Sequence, residues 1–270
     1  MDKWGHERRD QPGFSRIARR FRDDLARPEY AAVTAALEEL SARILARGLP
    51  LRRDPGRGWE YAHVLVELER LRAAGPLERV LDLGGGGSPV AYHLARAGLA
   101  VTVLDLDREA VARVREGARE LGLEERLEAV HGGLGTWPFA DGRFDCVLSI
   151  SVLEGVLRRH RPAHWAELRR VLAPGGSLLM TFDYGPGARL VGDPPVSLAE
   201  VREDLIRASG LELVGDALAE PRYDPELGPP VKVVVPTVDG LDSRVAEYTF
   251  GAVRLRRPLT PTGPPGASPG

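Results

Sequence analysis

The sequence predicts an α/β protein: a doubly wound, mostly parallel sheet with a helical cap ahead of it. Two observations carry this. From Arg79 onward, short apolar runs alternate with segments of helical period, the pattern of βαβ units with right-handed crossovers. The first of those runs, Val80-Leu81-Asp82-Leu83, leads straight into Gly84-Gly85-Gly86-Gly87-Ser88-Pro89, which reads as strand, sharp turn and helix start in one stretch. Consecutive glycines let the backbone turn tightly and approach a ligand closely. Ser88 suits an N-cap and Pro89 the first helical position. The helix stops near Gly98, so its first amides face whatever the glycine loop holds.

Residues 1 to about 28 are charged and irregular, with a short helix expected over Phe14 to Leu25. Tyr30, Val33, Leu37, Leu40 and Ile44 recur at steps of three and four, an amphipathic helix ending near Gly48 and Pro50. After a polar loop from Arg52 to Gly58, another helix starts near Trp59 and runs through Tyr61, Leu65, Leu68 and Leu71 to just before Gly75. Residues 1–76 are thus the expected helical cap and 77–257 the sheet domain. Its further strands are Ala100 to Leu106, Arg126 to His131, Phe144 to Ile150, Ser177 to Asp183, Leu211 to Val214 and, last, Arg244 to Arg256. Asp107 caps the helix that buries Val111, Val114 and Ala118. Pro162 opens a helix through Trp165, Leu168 and Leu172, and Pro174-Gly175-Gly176 turns into the fifth strand. Ser197 to Glu200 is a capping box for a helix that Gly210 closes. Residues 221–242 read as a proline-rich insertion with an extra strand at Val231 to Val235, and 258–270 as a disordered tail.

Composition narrows the chemistry. A chain of 270 residues, 43% hydrophobic, can bury one sizeable core. No apolar run is long enough to span a bilayer, and the first residues lack the apolar core of a secretory signal, so a cytoplasmic protein is expected. A net charge of -2 gives no general attraction to nucleic acid or an anionic membrane. The lone cysteine, Cys146, excludes an internal disulfide or a cysteine zinc cluster and reads as a core thiol; no metal site is expected. Lysine occurs only at Lys3 and Lys232, which leaves almost no source for a P-loop or Schiff-base lysine.

Four stretches, in order, carry a family resemblance: Val-Leu-Asp-Leu-Gly-Gly-Gly-Gly-Ser (80–88), Val-Thr-Val-Leu-Asp-Leu-Asp (101–107), Trp-Pro-Phe-Ala-Asp-Gly-Arg-Phe-Asp-Cys-Val-Leu-Ser-Ile-Ser-Val-Leu-Glu (137–154) and Arg-Val-Leu-Ala-Pro-Gly-Gly-Ser-Leu-Leu (170–179). Together they resemble the class I S-adenosylmethionine-dependent methyltransferases. The resemblance implies a Rossmann-like, seven-stranded sheet with an antiparallel last strand. It also implies S-adenosylmethionine over the carboxyl ends of the first and fourth strands, at the topological switch point, with S-adenosylhomocysteine as product. Asp82, Gly84, Gly85 and Gly86 would then meet the methionine portion, and Asp105 the ribose hydroxyls with Leu106 beside it. Gly133, Leu134, Ser149 and Tyr61 complete the implied cofactor set. Tyr61 belongs to Trp59-Glu60-Tyr61, a stretch like the aromatic-Glu-aromatic run of some relatives, from which one ring is expected at the cofactor unless both merely anchor the helix.

The chain departs from the family pattern in two places. The aspartate often found near the adenine is missing from His131 to Phe139, so recognition there would rest on the Gly133 and Leu134 backbone. The residue after Glu154 is Gly155 rather than a histidine, which rules out a histidine base there. Candidates for handling the acceptor's proton are Glu154, Asp183 and Tyr184, with Asp183 and Tyr184 expected as a pair; His160 lies in the charge run Arg158 to Arg161. The implied partner is a small molecule, with oxygen or nitrogen as acceptor atom. Two rivals stay open: a methyltransferase-like protein that only binds, and a nicotinamide-dependent oxidoreductase. Pro89 stands where the dinucleotide fingerprint wants a third glycine, which counts against the oxidoreductase.

Overall fold

The computed structural model describes residues 16–17, 24–51, 57–133, 135–185, 188, 192–215, 231–236 and 243–259; for 16–17, 231–236 and 243–247 it describes the backbone alone. In chain order these form β1 (Arg16–Ile17), α1 (Pro28–Leu45), α2 (Gly58–Ala74), β2 (Arg79–Leu83), α3 (Val90–Arg96), β3 (Ala100–Asp105), α4 (Arg108–Leu121), β4 (Leu127–His131), β5 (Phe144–Ile150), α5 (Arg161–Val171), β6 (Leu172–Tyr184), α6 (Leu198–Glu200), β7 (Glu212–Leu213), β8 (Val231–Pro236) and β9 (Ser243–Arg256). The sheet runs β4-β3-β2-β5-β6-β9, parallel as far as β6 and antiparallel at β9, with β1, β7 and β8 also paired to β9. Removing β1 and β8 leaves the expected seven strands. Chain order reverses beside β2, whose neighbours are β3 and β5, and this opens a crevice at the carboxyl ends of those three strands.

Alternation along the strands builds two cores. Val80, Val101, Cys146, Leu148 and Leu179 join one face beneath α1 to α4, while Leu81, Val147, Leu178, Met180 and Phe182 join the other beneath α5 and the helix after it. Cys146 is fully buried and its thiol pKa is pushed up by that burial, as expected of a core thiol. Asp107 caps α4, its carboxylate accepting from the Glu109 amide at 2.8 Å, and Gly122 closes that helix in a left-handed conformation. No described helix is long and apolar enough to cross a membrane.

Several local expectations are corrected. Arg16–Ile17 is a strand, not part of a helix over Phe14 to Leu25, because its backbone pairs with Ala252 and Gly251 of β9. The cap of α3 sits at Pro89, one residue late; Ser88 Oγ accepts from the Val90 amide at 3.3 Å instead. Pro174-Gly175-Gly176 is not a free turn. It lies within β6 as an irregularity, held by Gly175 N–H donating to Arg257 O and Arg257 N–H donating to Gly176 O, both at 2.9 Å. The helix opened by Ser197 widens to a π-helix over Val201–Arg207, which its apolar spacing does not announce. The remainder of the insertion, 221–230 and 237–242, and the tail from 260 lie outside the described residues.

Candidate functional site

The crevice is built from the glycine loop after β2. Gly84 is left-handed (φ 64°) and donates its N–H to Leu104 O at 2.8 Å, which fastens the loop to β3. A Cβ on Gly85 would stand 2.1 Å from Asp82 Oδ2, and one on Gly86 would stand 2.7 Å from both Asp105 Oδ2 and Ala110. The glycines are therefore required by two carboxylates packed against the loop, as well as by the turn itself.

Those carboxylates differ. Asp105 is half-buried and satisfied, with Oδ2 accepting from Gly86 N–H at 3.0 Å and Oδ1 from Asp107 N–H at 2.9 Å, so it ties the loop after β2 to the loop after β3. Asp82 is 1% exposed, and its Oδ2 has no hydrogen-bond partner among the described residues. Burial, and after it the nearby Asp105 charge, pushes the Asp82 carboxyl up to about 7. A buried carboxylate without a donor is costly unless a cation or donor group comes to it. Beside Asp105, Leu106 is 62% exposed yet reaches back over Gly133, where a Cβ would stand 1.8 Å from Leu106 Cδ2. The Gly133 carbonyl accepts from the Trp137 indole at 2.6 Å. Ser149 is closed in between its register partners Leu83 and Met180, and Leu134 lies outside the described residues.

A second group of polar side chains gathers where α2 crosses the ends of β5 and β6. Fully buried Glu60 is at its centre: Oε1 accepts from Ser151 Oγ and Thr181 Oγ1, each at 2.6 Å, and Oε2 accepts from Arg57 Nη1 at 2.8 Å. Arg57 also reaches Asp183 Oδ1 at 3.4 Å. Burial works against its charge, but Glu60 and Asp183 outweigh that and hold the guanidinium protonated. Glu154 Oε1 accepts from Asp183 N–H at 2.5 Å, while Oε2 has no partner among the described residues. Burial first, then the Asp183 charge, pushes the Glu154 carboxyl well above the usual range. Ser151 is the one non-glycine residue with positive φ among those described, at 49°. Such backbone costs of order 1–3 kcal/mol and persists only where its surroundings impose it.

The structure sorts the sequence candidates. Asp183 and Glu154 come together, but Asp183 and Tyr184 do not: adjacent strand residues leave opposite faces, and Tyr184 packs in the apolar cluster beneath α5. Trp59 is buried as an anchor of α2. It stacks on His63 with ring centroids 4.5 Å apart and donates to Asp24 Oδ2 at 2.9 Å. Tyr61 is half-buried against the same core. Glu60 went unassigned in the sequence; its one signal was a charge set between two aromatics at the start of a buried helix. His160 stays in the charge run, where Arg159 Nε donates to its Nε2 at 3.2 Å. Its neighbour Arg161 is buried and braces the loop after β5, donating from Nε to Val156 O at 3.0 Å.

A buried carboxylate beneath a glycine loop, with a second carboxylate at its edge, fits a ligand that has a cationic end and hydroxyl donors. Residues 80–176 match the family model described as a methyltransferase domain. These residues form a methyltransferase domain of the class I S-adenosylmethionine-dependent family. Similarity to curated relatives covers part of the chain. The chain is 32% identical over 184 residues to a 24-methylenesterol C-methyltransferase 2 of Oryza sativa subsp. japonica, covering 67% of this chain and 47% of the relative. It is 39% identical over 107 residues to a glycine/sarcosine/dimethylglycine N-methyltransferase of Actinopolyspora halophila, covering 39% of this chain and 19% of the relative. The chain thus spans less than half the length of either relative. Among solved structures, the [4+2]-cyclase SpnF shares the fold with a TM-score of 0.54 at 22% identity, covering 78% of this chain and 87% of the other.

Proposed function

We propose that this protein transfers the methyl group of S-adenosylmethionine to a small-molecule acceptor lodged between the glycine crevice and the Glu60-Glu154-Asp183 cluster. The observation that carries the reading is the buried, unpartnered Asp82 Oδ2 beneath Gly85, with Asp105 closing the loop's other side. Asp82 and the Gly84 to Gly86 amides would hold the methionine portion and Asp105 the ribose hydroxyls. Leu106 and Gly133 would pack against the adenine. Bound S-adenosylmethionine supplies an already activated methyl group on a sulfonium sulfur. The chain itself then has to orient the acceptor, exclude water and take a proton when the acceptor brings one. Glu154, held under the Asp183 amide, would receive that proton in its ionised form, which its raised pKa makes the better base but the minor species at neutral pH, and Asp183, fixed by Arg57, would orient the acceptor. Both relatives are named for small-molecule acceptors, one methylated on carbon and one on nitrogen.

Asp183→Asn is expected to lower turnover by at least about tenfold while leaving S-adenosylmethionine affinity nearly unchanged, the mark of an interaction made chiefly in the transition state. Methyl transfer from tritiated S-adenosylmethionine across a panel of amines, phenols and alcohols, paired with binding calorimetry, checks this. Normal turnover of the variant would place Asp183 in the scaffold. The shared fold with a cyclase shows that this architecture hosts other chemistry. Binding of the cofactor with no transfer to any acceptor in the panel would favour the binding-protein reading. Binding of NADH in place of S-adenosylmethionine would sink both.

A further inference from the structure

Glu60 lies in the helical cap, far along the chain from the glycine loop, yet an unbroken line of contacts connects them. Its Oε1 takes both the Ser151 and Thr181 hydroxyls at 2.6 Å, joining α2 to the ends of β5 and β6. Ser151 is held at φ 49°, with its N–H donating to Thr181 O at 3.1 Å. Left-handed backbone at a residue with a Cβ needs an external hold, and the Glu60 carboxylate on the Ser151 hydroxyl is one. The bend turns the next residue, Val152, toward the glycine loop, where a Cβ on Gly84 would stand 2.9 Å from Val152 Cγ2. Gly84 is the first residue of that loop and is itself left-handed (φ 64°).

We infer that Glu60 is a positioning residue for the cofactor crevice: it clasps Ser151 in its left-handed conformation and so seats Val152 under Gly84. The inference rests on the reading of that crevice as the S-adenosylmethionine site and extends it to the N-terminal cap, which becomes part of the cofactor site rather than a cover over it. The two carboxylate oxygens serve three partners on two sides. Oε1 faces the sheet hydroxyls and Oε2 faces Arg57. Glutamine has a single acceptor oxygen, so Glu60→Gln must turn an amide N–H toward either the hydroxyls or the guanidinium.

The test is binding of S-adenosylhomocysteine by calorimetry, alongside global unfolding and hydrogen exchange at the Ser151 and Gly84 amides. Glu60→Gln and Ser151→Ala are each expected to weaken binding about tenfold and to speed exchange at both amides beyond any change in global stability. Ser151→Gly, which accepts positive φ without a clasp, is expected to stay within about threefold of wild type, and in the double variant Glu60→Gln/Ser151→Gly to restore most of the lost affinity. Trp59→Phe, which loosens the same helix without touching the clasp, controls for a general loss of stability. Equal loss of affinity in Trp59→Phe at matched stability, or no rescue by glycine, would overturn the inference. Should Glu60→Gln not fold, the contrast between Ser151→Ala and Ser151→Gly decides alone, and an equal effect of the two overturns it. Should wild type bind neither S-adenosylmethionine nor S-adenosylhomocysteine, the cofactor reading fails; the clasp then stands or falls on whether Gly84 exchange responds to Glu60→Gln.

Discussion

Asp82→Asn should stabilise the cofactor-free protein at pH 8 while weakening its hold on S-adenosylmethionine. The carboxyl titrates near its ordinary value in the unfolded chain but only at about 7 in the folded one, because burial and then the Asp105 charge penalise its ionised form. The folded state therefore binds the proton more tightly. The stability this represents is fully present below the unfolded pKa and is lost as pH climbs from about 4 through about 7. A shift of that size corresponds to about 4 kcal/mol, part of which an asparagine amide would forfeit, since a buried unpaired polar group costs about 1–3 kcal/mol. Urea unfolding of the cofactor-free variant should show a net gain at pH 8 and none at pH 5. In calorimetry the variant should lose cofactor affinity, because an amide cannot meet a cationic group as a carboxylate does. A variant less stable than wild type at pH 8 would mean that Asp82 is ionised and satisfied in the free protein.

Asp105→Ala is expected to weaken S-adenosylmethionine about 30-fold to 1000-fold. Hydrogen bonds to a charged acceptor are worth about 1.5–3 kcal/mol each before compensation, and loss of two ribose contacts leaves about 2–4 kcal/mol in binding. The geometry adds a second route to the same loss. Asp105 already accepts from the Gly86 and Asp107 amides, so its removal also frees the glycine loop from β3. Asp105→Asn separates the two routes. Asparagine retains one acceptor oxygen for an amide but lacks the charge, so it should keep the loop better than alanine while still binding poorly. A change below about threefold for alanine would remove Asp105 from the site.

The glycine run after Val80-Leu81-Asp82-Leu83, the acid ending the next strand and the alternation of strand and helix were readable because each is a local matter. Only glycine tolerates two carboxylates packed against its backbone, and a strand buried on both faces must be apolar along its length. The antiparallel last strand and the cofactor motifs came with the family resemblance, which rests on those same stretches. Assigning acceptor residues from order along the chain failed where side-chain direction mattered. Asp183 and Tyr184 are neighbours in sequence, but the strand's pleat sends them to opposite faces of the sheet.

By itself, then, the sequence determined the α/β layering, the position of the crevice and the acids at its edge, because local backbone geometry and hydrophobic period decide those. Only the tertiary structure decided that Glu60 reaches Ser151 and Thr181, that Trp59 anchors the cap and that Glu154 lies under the Asp183 amide. Each of those contacts joins residues far apart along the chain, from elements whose relative placement follows from how helices pack onto the sheet. No local period encodes which buried carboxylate will meet which donor across that interface, since the energy that selects the pairing is the desolvation of both partners together.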